Sequence, residues 1–317
     1  MDGSRVPVSV SARLRRLLLA ISVIAGQQRA RREDLSRSVL RQTGKGVLVR
    51  IGVILNWTNP TFAETFSILT DRGVTLDLLR PEDRTIDLNK LRVENDLYVL
   101  KSGTELALTV AGALHALGAA TLNPYPTGAM MKNKIIVTRM LQAAGLPTPE
   151  TFIADDPRAF RPLLDSGPLI LKPYSGSNSE GIHIVRGADD LDRLAPGSLM
   201  LAQRYYEPDG PDYKIYCIGG RLFGIRRIWP IQRYEDKIGR PFTLSKELED
   251  IARRCGRVFG IDLYGLDIIM SGGRPYVVDV QNLGSYMGVQ DAPRLLADYL
   301  VGAARRARRG EVPLQAV

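Results

Sequence analysis

Two aspartates late in the chain, Asp267 and Asp279, stand in apolar runs that flank Ser271, Gly272, Gly273 and Arg274, which is the pattern of a β-hairpin. A loop formed by Gly272, Gly273 and Arg274 places Ser271 opposite Pro275 and therefore Asp267 opposite Asp279. Opposed side chains have Cβ atoms ~4.5–5.5 Å apart, and like charges at that spacing repel. Strand alternation puts Ile269, Val277 and Gln281 on the same face, so the carboxylates need a compensating partner. One such partner is a divalent hard cation, to which Gln281 would add a carbonyl oxygen beside the two carboxylates. The other is local: one acid protonated, or bonded to an arginine such as Arg226 or Arg227.

A second group of residues suits phosphate. Ser175, Gly176, Ser177, Asn178, Ser179, Glu180 and Gly181 join two apolar runs, and so small a loop can aim several backbone N–H groups and hydroxyls at one anion. Lys172 lies three residues upstream in the first run, where a lysine calls for either an anionic partner or an edge-strand position. Neither a GxxxxGK[ST] loop nor a strand followed by GxGxxG is present. Arg226, Arg227, Arg233, Lys237 and Arg240 form a cationic stretch that fits a polyphosphate, a carboxylate-rich substrate or an exposed loop.

These residues depend on two kinds of scaffold. From Gly46 onward, Val47–Leu55, Val74–Leu79 and Asp96–Leu100 read as strands, with helices over 62–72 and 104–117, which predicts a parallel α/β sheet. Asn56, Trp57, Thr58 and Asn59 then fall at the C-terminal end of the first strand, where open sheets of this kind receive ligands. Asn123, Pro124, Tyr125, Pro126 and Gly128 punctuate the chain, and a helix follows from Met131 to Ala144. Beyond Thr151 the pattern is hairpins, with a helix over 244–259 and a closing one over 292–307, so the second half is antiparallel α+β.

The 317 residues suffice for about two domains, and 44% hydrophobic with 24% charged residues excludes disordered and collagen-like chains. Two cysteines, Cys217 and Cys255, and two histidines, His115 and His183, leave no room for a dedicated zinc site or a readable Ser-His-Asp triad. They are read as structural side chains in a reducing, cytoplasmic setting. The net charge of +9 is concentrated at the ends: residues 1–45 hold ten Lys/Arg against three acids, and Arg305, Arg306, Arg308 and Arg309 oppose Glu311 in 305–317. The stretch between is near neutral, which argues against a nucleic-acid surface. Leu17–Gly26 is too short for the ~20 residues that span a bilayer. Its 3–4 spacing predicts an amphipathic helix packed on the body or on a second copy of the chain.

Together the motifs from Gly46 to Ala304 resemble the ATP-grasp superfamily, above all the RimK-type carboxylate-amine ligases, and in the last third the inositol polyphosphate kinases of that fold. The likeness rests on Asn133-Lys134, Gly145 to Pro149, Leu171-Lys172-Pro173, the 175–181 loop, Gln203 to Tyr206, Asp212-Tyr213-Lys214, Gly265-Leu266-Asp267 and Val278 to Gln281. It implies a basic N-terminal extension (1–45), an α/β domain (46–125), central (126–200) and C-terminal (201–304) lobes enclosing ATP, and a basic tail (305–317). The resemblance further implies that Lys134, Lys172 and the 175–181 loop hold ATP. Gln203, Tyr205 and Tyr206 would supply the adenine hinge, and Glu207, Asp209 or Asp212 would lie near the ribose. Asp267, Asp279 and Gln281 would bind Mg2+ or Mn2+, while Lys214 and Arg227 would meet the transferred phosphoryl group. The chain departs from the family in having Gln281 where Asn is usual, followed by Asn282, and Gly284-Ser285-Tyr286 in place of a Pro-Gly turn. The implied activity is ADP-forming ligation of a carboxylate to an amine, on small-molecule or peptide substrates. Phosphorylation of a polyhydroxyl compound, or ATP binding without turnover, are the alternatives.

Overall fold

A computed structural model describes residues 49–176, 181–195, 197, 199–228, 236 and 238–311. The expected N-terminal helix and its oligomer contact lie outside the described residues, as do Ser177, Asn178, Ser179, Glu180, Arg233 and Lys237. Three sheets make up the fold. In the first, β1 (Arg50–Ile54), β2 (Thr75–Leu79), β3 (Leu97–Leu100) and β4 (Thr121–Leu122) run parallel in the order β2-β1-β3-β4. Helices α1 (Pro60–Asp71) and α2 (Glu105–Ala116) cross between strands. Asn59 and Thr104 cap them by accepting the N–H of Phe62 and of Ala107, at 2.9 and 3.2 Å, so each helix starts where a strand's C-terminal loop ends.

The short helix α3 (Tyr125–Met130) forms where the sequence reads as punctuation. Its proline-rich first turn costs no hydrogen bond, and the Thr121 hydroxyl accepts the Tyr125 N–H at 2.7 Å. Helix α4 (Lys134–Ala143) follows, capped by Asn133. The second sheet is antiparallel, in the order β5-β8-β6-β7: β5 (Thr151–Ala154), β6 (Leu169–Pro173), β7 (His183–Val185) and β8 (Met200–Arg204), with α5 (Ala188–Asp192) beneath. The third contains β9 (Asp212–Ile218), β10 (Arg221–Arg227), β11 (Arg240–Phe242), β12 (Leu263–Ser271) and β13 (Arg274–Asn282), in the order β11-β10-β9-β12-β13.

Helix α6 (Lys246–Phe259) buries Leu248, Ile251, Ala252, Cys255 and Phe259 in one core with Leu266, Ile268, Val277 and Val280 of the third sheet. The closing helix α7 (Ala292–Arg308) returns to the first sheet, where Leu296, Leu300, Ala303 and Ala304 pack with Ile51, Val53 and Phe62. Cys217 and Cys255 are free and buried, and burial pushes their thiols up to about 11 and about 12. No helix among the described residues is long and apolar enough to cross a membrane.

Candidate active site

The acid hairpin closes with a two-residue turn, not three. Gly272 and Gly273 both have positive φ (56° and 71°), the geometry of a tight hairpin turn, and Ser271 pairs with Arg274. A bulge opposite Asp267 and Ile268 then inserts Val278, and this shift restores the pairing of Asp267 with Asp279. The same bulge turns Val277 to the core, where it is buried with Val280, and off the carboxylate face expected for it. Asp209 accepts the Gly272 and Gly273 N–H groups at 2.9 and 2.8 Å, so this acid fixes the turn.

Asp267 is the centre of a charge cluster. It faces Lys214 on β9, whose Nζ donates to Oδ2 at 2.9 Å, while Arg227 Nη2 donates to Oδ1 at 2.6 Å. Arg227 also binds Asp212, and Lys214 is 1% exposed. Of the two compensating partners expected for the opposed acids, the arginine is in place: Asp267, paired with Asp279, is bonded to Arg227. Arg226 takes no part, since it lies over the rings of Phe242 and Tyr213 at 5.1 and 5.9 Å. Burial pushes the Asp267 carboxyl up, but Lys214 and Arg227 outweigh it and hold the group below the usual carboxylate range. Burial and then the Asp267 charge push Asp212 up to about 6, against the pull of Arg227.

Gln281 bridges the acids. Its Nε2 donates to Asp267 Oδ2 at 3.1 Å and to Asp279 Oδ2 at 3.4 Å, so the two carboxylates converge on one amide. With the Gln281 amide turned so that Oε1 replaces Nε2 between the acids, two carboxylates and an amide carbonyl form a set of hard oxygen donors that suits magnesium sharing its remaining positions with phosphate and water. Among the described residues no three His, Cys, Asp or Glu side chains gather as a closed metal cage. Asn282 points elsewhere, accepting from Asn123 Nδ2 at 2.5 Å, so the amide that meets the two acids is that of Gln281.

Across from this centre, Lys172 is 7% exposed, and its Nζ donates to Gln203 Oε1 at 2.8 Å and to the Val278 carbonyl at 3.2 Å. The bulge thus supplies an oxygen to a lysine of the neighbouring sheet. Burial pulls the Lys172 ammonium below its ordinary value. Gln203 is held in turn by Thr151 Oγ1 at 3.2 Å. Lys134, the first residue of α4, donates from Nζ to the Gly176 carbonyl at 2.6 Å, and its backbone N–H reaches Tyr174 O at 2.8 Å. These bonds tie the helix to the start of the 175–181 loop. At the other end, Gly181 has φ +68°, and a Cβ there would lie 2.8 Å from Pro173, so this corner requires glycine. Ser175, Gly176 and Gly181 are the described part of the loop.

Tyr205 carries Arg186 at 5.5 Å over its ring, and Tyr206 stacks on Tyr276 at 4.4 Å. Two residues with no chemical signature complete the face: Ile170 pairs with both Ile184 and Gln203, which sets the two isoleucines beside Lys172 and Gln203. Ile184 is 41% exposed, an apolar surface beside a buried ammonium and able to seat a flat heteroaromatic base. Their exposure in the fold, not their residue type, marks them.

Residues 131–292 match the family model of the RimK-like ATP-grasp domain. The chain is 25% identical over 232 residues to the alpha-aminoadipate–LysW ligase LysX of Saccharolobus solfataricus, covering 66% of this chain and 83% of that protein. It is 28% identical over 207 residues to the coenzyme gamma-F420-2:alpha-L-glutamate ligase of Methanococcus maripaludis, covering 59% and 73%. Among solved structures, the ATP-grasp ligase PsnB complexed with minimal precursor, Mg and ADP superposes with a TM-score of 0.61 at 18% identity, covering 81% of this chain and 98% of that one.

Proposed function

As this chain belongs to the RimK-like ATP-grasp family and is an ADP-forming, ATP-dependent carboxylate-amine ligase, we propose that it joins a dicarboxylic amino acid, through its amine, to a small-molecule or peptide carboxylate. The names of the relatives motivate the amine: aminoadipate and glutamate are both dicarboxylic amino acids. The observation that carries the reading is the pair of converging acids, Asp267 and Asp279 bridged by Gln281, with Lys214 and Arg227 on Asp267.

Asp267, Asp279 and Gln281 would hold magnesium, which supplies charge neutralisation on the phosphate oxygens. Lys172 and Lys134 bind the phosphates, the 175–181 loop covers them, and Ile170 and Ile184 pack on the adenine between the hinge residues Gln203, Tyr205 and Tyr206. Asp212 orients Arg227. Lys214 and Arg227 stabilise the charge that builds on the transferred phosphoryl group. The substrate carboxylate oxygen attacks the γ-phosphorus, the bond to the bridging oxygen breaks and ADP leaves. The amine then attacks the acyl carbonyl, and phosphate leaves with the former carboxylate oxygen. The α/β domain (46–125) presents the acceptor, and the lobes 126–200 and 201–304 close on ATP. A cytoplasmic setting supplies ATP and suits the two free thiols.

The test follows one oxygen atom. A pool of 18O-labelled carboxylates is incubated with ATP, magnesium and L-glutamate, and ligation is expected to move one label per turnover into inorganic phosphate. A phosphorylated product without free phosphate would identify a kinase, and bound nucleotide without turnover a non-catalytic protein; either outcome overturns the proposal.

A further inference from the structure

Among the described residues, two lysines beside the C-terminal edge of the parallel sheet, Lys101 and Lys132, are bonded to no acid. The loops after β1 and β3 adjoin there, because the Lys101 and Ser102 N–H groups both donate to Ile54 O, at 2.8 and 3.0 Å. Lys101 Nζ lies 4.9 Å from the Trp57 ring and 5.0 Å from the Phe62 ring. Lys132 reaches the same loop, where a Cβ on Gly103 would come within 2.8 Å of its Nζ, so the glycine makes room for the ammonium. Among the described residues neither lysine forms an ion pair. Glu82, the acid that touches this loop, accepts the Thr104 hydroxyl instead.

Desolvated ammonium groups are costly, and aromatic faces offset the cost only in part. Burial pulls Lys101 below its ordinary value, and burial with the nearby Lys134 charge does the same to Lys132. A row of buried rings packs between this position and the reaction centre: the Phe62 ring meets Tyr286 at 6.2 Å, Tyr286 meets Tyr216 at 5.2 Å, and Lys214 Nζ lies 5.6 Å over Tyr216. Asn59, from the β1 loop, donates to the Ser285 carbonyl at 3.1 Å.

We infer that Lys101, seated on Trp57 and Phe62, and Lys132, seated on Gly103, form the carboxylate-binding seat that selects a dicarboxylic amino acid as the amine substrate. This inference rests on the ligase reading for its substrate class, while the seat itself is a binding site whatever chemistry follows. Lys101 makes the charge-assisted contact that distinguishes an acid from its neutral isostere, and the rings keep the ammonium from swinging into solvent.

Two measurements on the full chain test it. In the first, L-glutamate is titrated calorimetrically into the wild-type protein without nucleotide, then into Lys101→Met, Lys101→Arg, Lys132→Met and Lys90→Met. Losing one charge-assisted contact is expected to weaken binding about 10- to 100-fold in the methionine variants at 101 and 132. Lys101→Arg should restore most of it and Lys90→Met should match wild type. Lys101→Gln, which keeps a stem on the two rings, reads the same quantity if Lys101→Met folds poorly. No saturable binding to wild type, or wild-type affinity in the methionine variants at 101 and 132, overturns the seat.

The second measurement is steady-state ligation with the 18O-labelled carboxylate pool. The KM for glutamate should rise in Lys101→Met by a similar factor, while the KM for ATP stays within about twofold of wild type. Glutamate binding through Lys101 without amide formation would keep the seat and sink the ligase reading. Amide formation with an unchanged glutamate KM would do the reverse.

Discussion

Lys172 and Lys214 are both buried strand lysines, one in each antiparallel sheet, yet their ammonium groups are satisfied by different chemistry. Lys214 meets the carboxylate of Asp267 directly across the ladder. Among the described residues Lys172 hydrogen-bonds neutral oxygens, the Gln203 amide and the carbonyl released by the β13 bulge. The C-terminal lobe is thus internally compensated, with Asp212 and Asp267 against Lys214 and Arg227. The central lobe holds a charge in reserve. An ammonium held by dipoles gains most from an arriving anion, whereas one already paired chiefly fixes geometry.

The sharpest way to break this contrast is at the acid. Asp267→Asn leaves two buried cations with Asp212 alone and removes a proposed magnesium donor, so phosphate release should fall by ~10³-fold or more. Residual activity within tenfold of wild type would show that the centre is not at Asp267. Next comes a pair of stability measurements. Lys214→Met leaves Asp267 with one cation fewer and should cost ~3 kcal/mol in urea unfolding. Lys172→Met removes an ammonium that burial disfavours and should leave the unfolding midpoint unchanged or raised, while raising the KM for ATP ~30-fold through the loss of one charged phosphate contact. Equal destabilisation by the two would erase the distinction.

Much of this arrangement was legible because it is local. The Gly272-Gly273 signal, the helices over 62–72 and 104–117 and the period of each hairpin depend on neighbours in sequence, and those elements appear within a residue or two of where they are expected. The pairing of Asp267 with Asp279 was reached through a loop one residue too long, and the bulge at Val278 made up the difference. Bulges leave no mark in composition, which is why Val277 was set on the wrong face. Strands β5 and β11 escaped because they are short and acquire their identity only from partners far along the chain. Lys101 escaped for a related reason: its aromatic seat combines Trp57 of the loop after β1 with Phe62 of α1, while the lysine itself follows β3.

The compensated lobe also carries a pH signature. Asp212 titrates at about 6 in the folded chain and near 3.8 when unfolded, so between these values the folded state binds the extra proton. Its ionisation therefore weakens folding as pH rises from about 4 to about 6, by on the order of 2 kcal/mol. Asp267 acts in the opposite sense: its lowered value adds stability above the usual carboxylate range, which is lost only as pH falls through the folded value. Asp212→Asn should abolish the decline between pH 4 and 6 in urea midpoints; a decline that persists would assign it to another group.

The mildest perturbation belongs to the central lobe. Ile184 is 41% exposed on β7 and pairs with Ile170, so truncating it leaves no cavity and should not alter the unfolding midpoint. A nucleotide base packed there would lose contact with roughly three methyl or methylene groups, only partly desolvated, which corresponds to about a three- to tenfold rise in the KM for ATP. On the proposed reading lysines, and not this surface, hold the phosphates, so kcat at saturating ATP should stay within about twofold of wild type. A fall in kcat without a change in KM would mean that the isoleucine face positions the loop over the phosphates and does not seat the base, and the division between a lobe that binds and a lobe that reacts would have to be redrawn.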